Sequence, residues 1–165
     1  MRDDGLTIHV VVNHFKSQSG GGNAKRGRQA DRVAQIATGL AAQNAHVIVM
    51  GDLNEGPAAL GQQPPNIGAL FNPAGPLRSV FDHAGFARGQ RPGTWQSCGI
   101  RKRFDYILSS QRLFNSIDTG QIFRCGLWGT STKIDTPADW DVYPEITKSA
   151  FSASDHAAVQ ATFNV

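Results

Sequence analysis

The chain has 165 residues, which suits one domain, and its 40% hydrophobic and 18% charged content excludes a disordered or low-complexity protein. Sixteen Lys and Arg against 13 Asp and Glu leave a formal charge of +3, a mild basic excess compatible with a polyanionic partner such as nucleic acid. No apolar run reaches the ~20 residues needed to span a bilayer, and the charged start Met1-Arg2-Asp3-Asp4-Gly5 is not followed by a signal-peptide pattern.

In chain order, residues 6–15 are rich in Val, Ile and Thr and read as a buried strand. A glycine-bearing loop over 16–23 follows. Residues 25–43 carry Ala30, Val33, Ala34, Ala37, Leu40 and Ala41 at the spacing of one helical face, with Arg26, Arg28 and Arg32 off it. A second buried strand over 46–50 completes a β–α–β unit. Both strands are apolar on both sides and so require cover on both faces. Residues 51–76 are loop-rich, and 77–84 read as a short helix. Residues 94–97 and 104–108 read as strands joined by the basic turn Arg101-Lys102-Arg103. A short helix is expected over 110–115, a strand over 121–124, an irregular stretch over 126–149 and a terminal strand over 157–165. The two cysteines, Cys98 and Cys125, permit at most one internal disulfide and match no zinc spacing.

Four patterns place proton-active or chelating residues at the ends of apolar strands, where a sheet fixes side chains and loops give access. In Asn13-His14-Phe15, His14 falls where the apolar run stops, suited either to contact a phosphate oxygen or to cap a strand. In Gly51-Asp52-Leu53-Asn54, the carboxylate and the carboxamide stand two residues apart and share a side in extended geometry. That pair can orient water, hold a metal or donate to a phosphoryl oxygen; it can equally form an Asx-turn. Asp105, leading into Tyr106-Ile107-Leu108, needs a histidine, arginine or metal partner if buried. In Ser154-Asp155-His156, the histidine can serve as general acid or base and the aspartate can bind a hard cation. Together they amount to an oxygen-rich inventory with two imidazoles, suited to Mg²⁺ or Mn²⁺ and to phosphodiester hydrolysis.

The order His14, Gly51-Asp52-Leu53-Asn54, Asp105-Tyr106-Ile107-Leu108, Ser154-Asp155-His156 resembles the endonuclease/exonuclease/phosphatase superfamily of DNase I-like enzymes, with Thr94-Trp95 where that family often has a Thr-Trp pair. The wording Val12-Asn13-His14-Phe15-Lys16-Ser17 is similar to its bacterial, often extracellular, nuclease-like members, which implies an extracellular or periplasmic location. The resemblance implies an α/β (α+β) fold, a partial four-layer αββα sandwich formed mainly by the C-terminal sheet-and-helix half. Residues 1–165 then form a single domain lacking the N-terminal half, because the family's metal-binding Glu precedes the His strand and no strand-end Glu precedes His14. The implied catalytic set is His14, Asp52, Asn54, Asp105 and His156. The implied metal ligands are Asp155 and Asp52. Asn54, Thr94, Trp95 and Arg103 are expected to contact substrate. The expected activity is a Mg²⁺- or Mn²⁺-dependent nuclease or phosphodiesterase acting on nucleic acid or another phosphodiester. The alternatives are a lipid or inositol phosphatase of the same superfamily, or a catalytically incomplete module that binds phosphates. A homodimer, or the missing half, is expected to cover the open sheet face.

Overall fold

A computed structural model describes residues 6–58, 62–89, 93–95, 102–128 and 141–165. Strand β1 (Ile8–His14) runs into helix α1 (Asn23–Ala41) and strand β2 (His46–Asp52). The two strands pair in parallel, from Ile8 opposite His46 to His14 opposite Asp52. Parallel neighbours need a crossover of this length, and α1 supplies it. Then follow β3 (Leu77–Ser79), β4 (Phe86–Ala87), β5 (Asp105–Ser110), α2 (Gln111–Asn115), β6 (Ile117–Phe123) and β7 (Ala158–Phe163). One sheet has the order β1-β2-β5-β3 and the other the order β4-β6-β7. Two sheets with a helix on the outer face of the larger one match the expected partial sandwich.

The β–α–β unit forms as its periodicity requires. Ala30, Val33 and Ala37 of α1 are buried in one core with Val47 and Val49 of β2. Arg26 departs from the expectation. The spacing placed it off the buried face, yet it is 2% exposed. Its Nε donates to Glu55 Oε2 at 2.8 Å, with both side chains almost fully buried. Glu55 Oε1 also accepts from the backbone N–H and side-chain amide of Asn66, each at 2.7 Å. A second guanidinium nitrogen donates to the Lys16 carbonyl at 3.1 Å. One buried ion pair therefore ties the start of α1 to the loops that follow β1 and β2.

Two expectations change. Residues 77–84 form β3 and a 3₁₀ turn over Val80–Asp82 instead of a helix, because Leu77, Arg78 and Ser79 pair with β5. The strand expected over 121–124 starts earlier, at Ile117, and the two-residue β4 lies beside it. Of the strand expected over 94–97, only Thr94 and Trp95 lie among the described residues; Gln96 and Ser97, and with them Cys98 and Arg101, lie outside them.

The face of the larger sheet opposite α1 is unevenly covered. Ile107 of β5 is 8% exposed, whereas Ile8, Val10 and Val12 of the edge strand β1 are 36%, 52% and 74% exposed. Among the described residues, no helix is long and apolar enough to cross a membrane.

Truncating one member of a buried ion pair leaves the other charge unpaired, at a cost of about 3–5 kcal/mol. Glu55→Ala should therefore lower the urea midpoint of the chain sharply. A midpoint within error of the parent would show that the pair is not needed to hold these loops.

Candidate active site

Strand register builds the centre of the site. His14 lies opposite Asp52 on the neighbouring strand, and Asp52 lies opposite Asp105 on the next. Residues directly opposite each other share a face, so the three form one row at one end of the sheet. His14 Nε2 stands 3.6 Å from Asp52 Oδ2, and the histidine side chain is largely exposed. Gly51 makes the close approach possible: its φ is +127°, and a Cβ there would fall 2.0 Å from the Asn13 carbonyl oxygen.

Asp52 is held by the residue two places on. Its Oδ1 accepts from the Asn54 backbone N–H at 2.7 Å, and its Oδ2 accepts from the Asn54 side-chain amide at 3.0 Å. Asn54 has a φ of +53° and is 8% exposed, and its amide also donates to the Phe15 carbonyl at 3.1 Å. The two sequence readings of this motif thus coexist: an Asx-turn is present, and it aims the carboxylate. Both amide hydrogens of Asn54 are engaged within the protein, so in this structure the residue orients Asp52 and has no amide donor left for a phosphate.

His156 enters from the other sheet, just before β7. Its Nδ1 is 2.8 Å from Asp105 Oδ2. Thr94 fixes both partners. Its hydroxyl oxygen accepts from the backbone N–H groups of Phe104 at 3.0 Å and Asp105 at 3.1 Å. Its carbonyl accepts from the Ala157 N–H at 2.7 Å, and Trp95 forms a β-bridge with His156. Thr94 is expected to contact substrate, yet it is fully buried. It supports the histidine and its carboxylate from behind.

The electrostatics follow from these distances. The hydrogen bond to Asp105 is the main cause that raises the His156 pKa above its ordinary value, against a lowering by burial. Burial is the main cause that raises the Asp52 pKa, countered by the Asn54 hydrogen bond and reinforced by the charge of Asp105. Asp52, Asp105 and His156 offer ligand atoms that all lie within 4.8 Å of one another. Two carboxylates that repel each other, beside an imidazole, fit a hard divalent cation, whose charge would relieve the repulsion. Asp155 lies outside that group; its exposed carboxylate accepts from the Trp95 indole N–H at 3.3 Å.

A cleft opens over His156, lined by Ser17, Gln18, Ser19, Asn54, Trp95, Lys102 and Phe104. Trp95 stacks on Phe104 with ring centroids 5.1 Å apart, and Lys102 Nζ lies 5.7 Å from the Trp95 ring centre. Gln18 reaches the site through its amide, which donates to the Asn54 carbonyl at 3.1 Å. Gln18, Ser19 and Phe104 carry no motif and were not legible as site residues; their only sequence signal is adjacency to the His14 and Asp105 patterns. Arg103, also expected to contact substrate, does not line this cleft. Its guanidinium lies over the Phe81 ring, 3.9 Å from the centroid, in a separate cavity.

A model of the endonuclease/exonuclease/phosphatase family matches residues 3–156, and the chain belongs to that family, whose members are hydrolases acting on phosphoesters. Among solved structures, a mannosyl-6-phosphatase from Bacteroides thetaiotaomicron is 18% identical with a TM-score of 0.62, and 98% of this chain aligns with 53% of that one. A second family protein from the same organism is 17% identical with a TM-score of 0.62, covering 99% and 53% of the two chains. A beta toxin from Staphylococcus aureus is 20% identical with a TM-score of 0.53, covering 98% and 54%. These likenesses establish the fold, and the chain spans about half the length of the structures it matches. Comparison with curated proteins gives no match.

Two measurements check this geometry. In metal-free protein, the His156 imidazole should titrate above its ordinary value of 6.5, and Asp105→Asn should lower the midpoint, as read by NMR. Because the folded-state pKa is raised, the associated stability is fully present below the ordinary value and is lost as pH rises through the raised one. An unmoved midpoint in Asp105→Asn would contradict the 2.8 Å contact. Thr94→Val removes the acceptor of the Phe104 and Asp105 backbone N–H groups, the first of them buried, and should cost about 1–3 kcal/mol in denaturant unfolding. A stability matching the parent would remove Thr94 from this role.

Proposed function

We propose that this chain carries the hydrolytic centre of a divalent-metal-dependent phosphodiesterase, with nucleic acid as its substrate class. The observation that carries this reading is the His156–Asp105 contact at 2.8 Å, with Asp52 in the same cluster at the end of the sheet. Asp52 holds the attacking water and accepts its proton as the oxygen approaches phosphorus. His156, kept protonated and oriented by Asp105, supplies a proton to the leaving oxygen. His14, on the open side of Asp52, contacts a phosphoryl oxygen. Asn54 keeps the Asp52 carboxylate in position. Asp52, with Asp105 and His156 beside it, would hold Mg²⁺ or Mn²⁺, with Asp155 as a further candidate ligand, and the ion when bound would supply charge neutralisation at the phosphoryl oxygens. The cleft favours a nucleic acid over a smaller phosphoester. The stacked Trp95–Phe104 pair offers a platform for a base, and Lys102 beside it is a cation for the backbone.

The test uses plasmid DNA and a chromogenic phosphodiester, with Mg²⁺ or Mn²⁺ and with EDTA. Metal-dependent cleavage is expected, and His156→Ala should reduce its rate by about 10²–10⁴-fold. Cleavage that survives EDTA, or that His156→Ala leaves untouched, would refute the assignment. Retained phosphate binding without turnover at any metal concentration would point to a binding module instead.

A further inference from the structure

Basic side chains gather at two places outside the His156 cleft. Arg78, Arg88 and Arg103 line the cavity into which Tyr106 turns, on the face of the larger sheet opposite Asp105. That cavity carries its own counter-charge, since Asp82 Oδ1 lies 3.7 Å from Arg88. The second place is a groove at the outer edge of β1. Val12 and His14 line one side of it, and Lys25, Arg28 and Arg32 of α1 line the other; no carboxylate lines it. His14 belongs both to this groove and to the row with Asp52, so the groove continues the row past its outer end.

Lys25, Arg28 and Arg32 recur at intervals of three and four residues and form one exposed stripe along α1. Among the described residues, no carboxylate forms an ion pair with any of them. Arg32 donates to the neutral side-chain oxygen of Gln35 at 3.5 Å. Asp31, the one acid within this stretch of α1, lines a different groove. Lys25 stands in the first helical turn, which holds no acid. The helix dipole favours anions at that end, so a cation there without a counter-charge weakens the helix start. An external anion would supply the missing charge. The groove wall is also fixed in place. Gln29 Oε1 accepts from the Lys16 N–H at 3.0 Å, and Arg26, next to Lys25, is buried against Glu55.

At ~1.5 Å of rise per residue, the stripe from Lys25 to Arg32 spans about 10 Å. One nucleic-acid strand carries a phosphate for each ~3.4 Å of helix axis, so about three successive phosphates match that length. A ligand with regularly spaced charges uses all three cations, and a single phosphate cannot. We propose that this groove carries one strand of a nucleic acid away from the row, with phosphates beyond the reacting one paired to Lys25, Arg28 and Arg32. The choice of nucleic acid rests on the hydrolytic reading above. The stripe adds a second flank to the substrate path: Trp95 and Lys102 stand on the His156 side of the row, and α1 stands on the His14 side.

The test is fluorescence anisotropy of a labelled single-stranded DNA titrated with the full chain in EDTA, over a range of salt concentrations. Each phosphate contact to a single strand steepens the fall of log K with log salt by about 0.7. The double variant Arg28→Gln, Arg32→Gln should therefore bind more weakly at low salt, with a slope shallower by about 1.4. Both positions are exposed and glutamine is a good helix former, so this variant should fold. Arg28→Lys with Arg32→Lys should keep the parent slope. Arg112→Gln with Lys148→Gln removes the same charge from exposed positions outside the groove and should also keep it. The proposal is overturned if the parent does not bind the DNA, if the groove glutamine variant keeps the parent slope, or if the charge-matched control loses as much. Cleavage of a chromogenic phosphodiester with Mg²⁺, run in parallel, separates the two readings. A chain that cleaves the diester but shows no groove-dependent slope keeps its hydrolytic centre and loses this path. A groove-dependent slope without any cleavage keeps the path and removes the hydrolytic reading.

Discussion

The pairing register of β1, β2 and β5 is the constraint on which the functional reading depends. Backbone hydrogen bonds set His14, Asp52 and Asp105 side by side, although 38 and 53 residues separate consecutive members in sequence (52 − 14 and 105 − 52). No side-chain interaction has to search for that arrangement, because it follows from closing the sheet. Side-chain contacts then refine it. Asn54 aims one carboxylate, and Thr94 places the other beside His156. The local positive φ at Gly51 and Asn54 is found at the same end of the sheet, where the chain must leave β2 sharply and still return an amide to Asp52. Backbone strain concentrated beside working groups is the usual pattern in active sites.

The loops around the row are anchored by burial of charge rather than by apolar packing alone. Arg26 and Glu55 sit almost without solvent, and between them they hold the Lys16 carbonyl and Asn66. Such a pair adds little net stability relative to an apolar substitute, but it specifies one arrangement of the loops it joins. That arrangement presents Ser17, Gln18 and Ser19 to the cleft. The fold thus uses hydrogen-bonded register for the row of His14, Asp52 and Asp105 and a buried ion pair for the cleft wall.

Much of this was legible in the sequence, and the gaps have physical causes. The β–α–β unit announced itself because β-branched runs and a 3.6-residue period are long-range signals. His14, Asp52, Asp105 and His156 were legible because four such strand-end patterns occur together in one chain, in an order that resembles the family's. Strand β3 was not, since three residues carry no readable period and Val80 and Phe81, fully buried by tertiary contacts, mimic a helical face. The start of β6 was missed because Asp118 and Gly120 are poor strand formers. Gly120 is nonetheless required, as a Cβ there would fall 2.4 Å from the Phe86 ring. Arg26 was misplaced because helical periodicity separates apolar from polar residues and does not reveal a charge that has found a buried partner. Glu55, directly after the Asp52–Asn54 motif, gave no sign that its partner lay 29 residues earlier.

Strand β5 serves two sides of the molecule with consecutive letters of its sequence. A slip of one residue in its pairing would carry the Tyr106 phenol into the row beside Asp52 and turn the Asp105 carboxylate toward three arginines. The row at the sheet end and the arginine-lined cavity are therefore bound to a common reading frame in space. Over evolutionary time, substitutions can reshape either one separately, but an insertion or deletion between residues 104 and 108 would dismantle both at once.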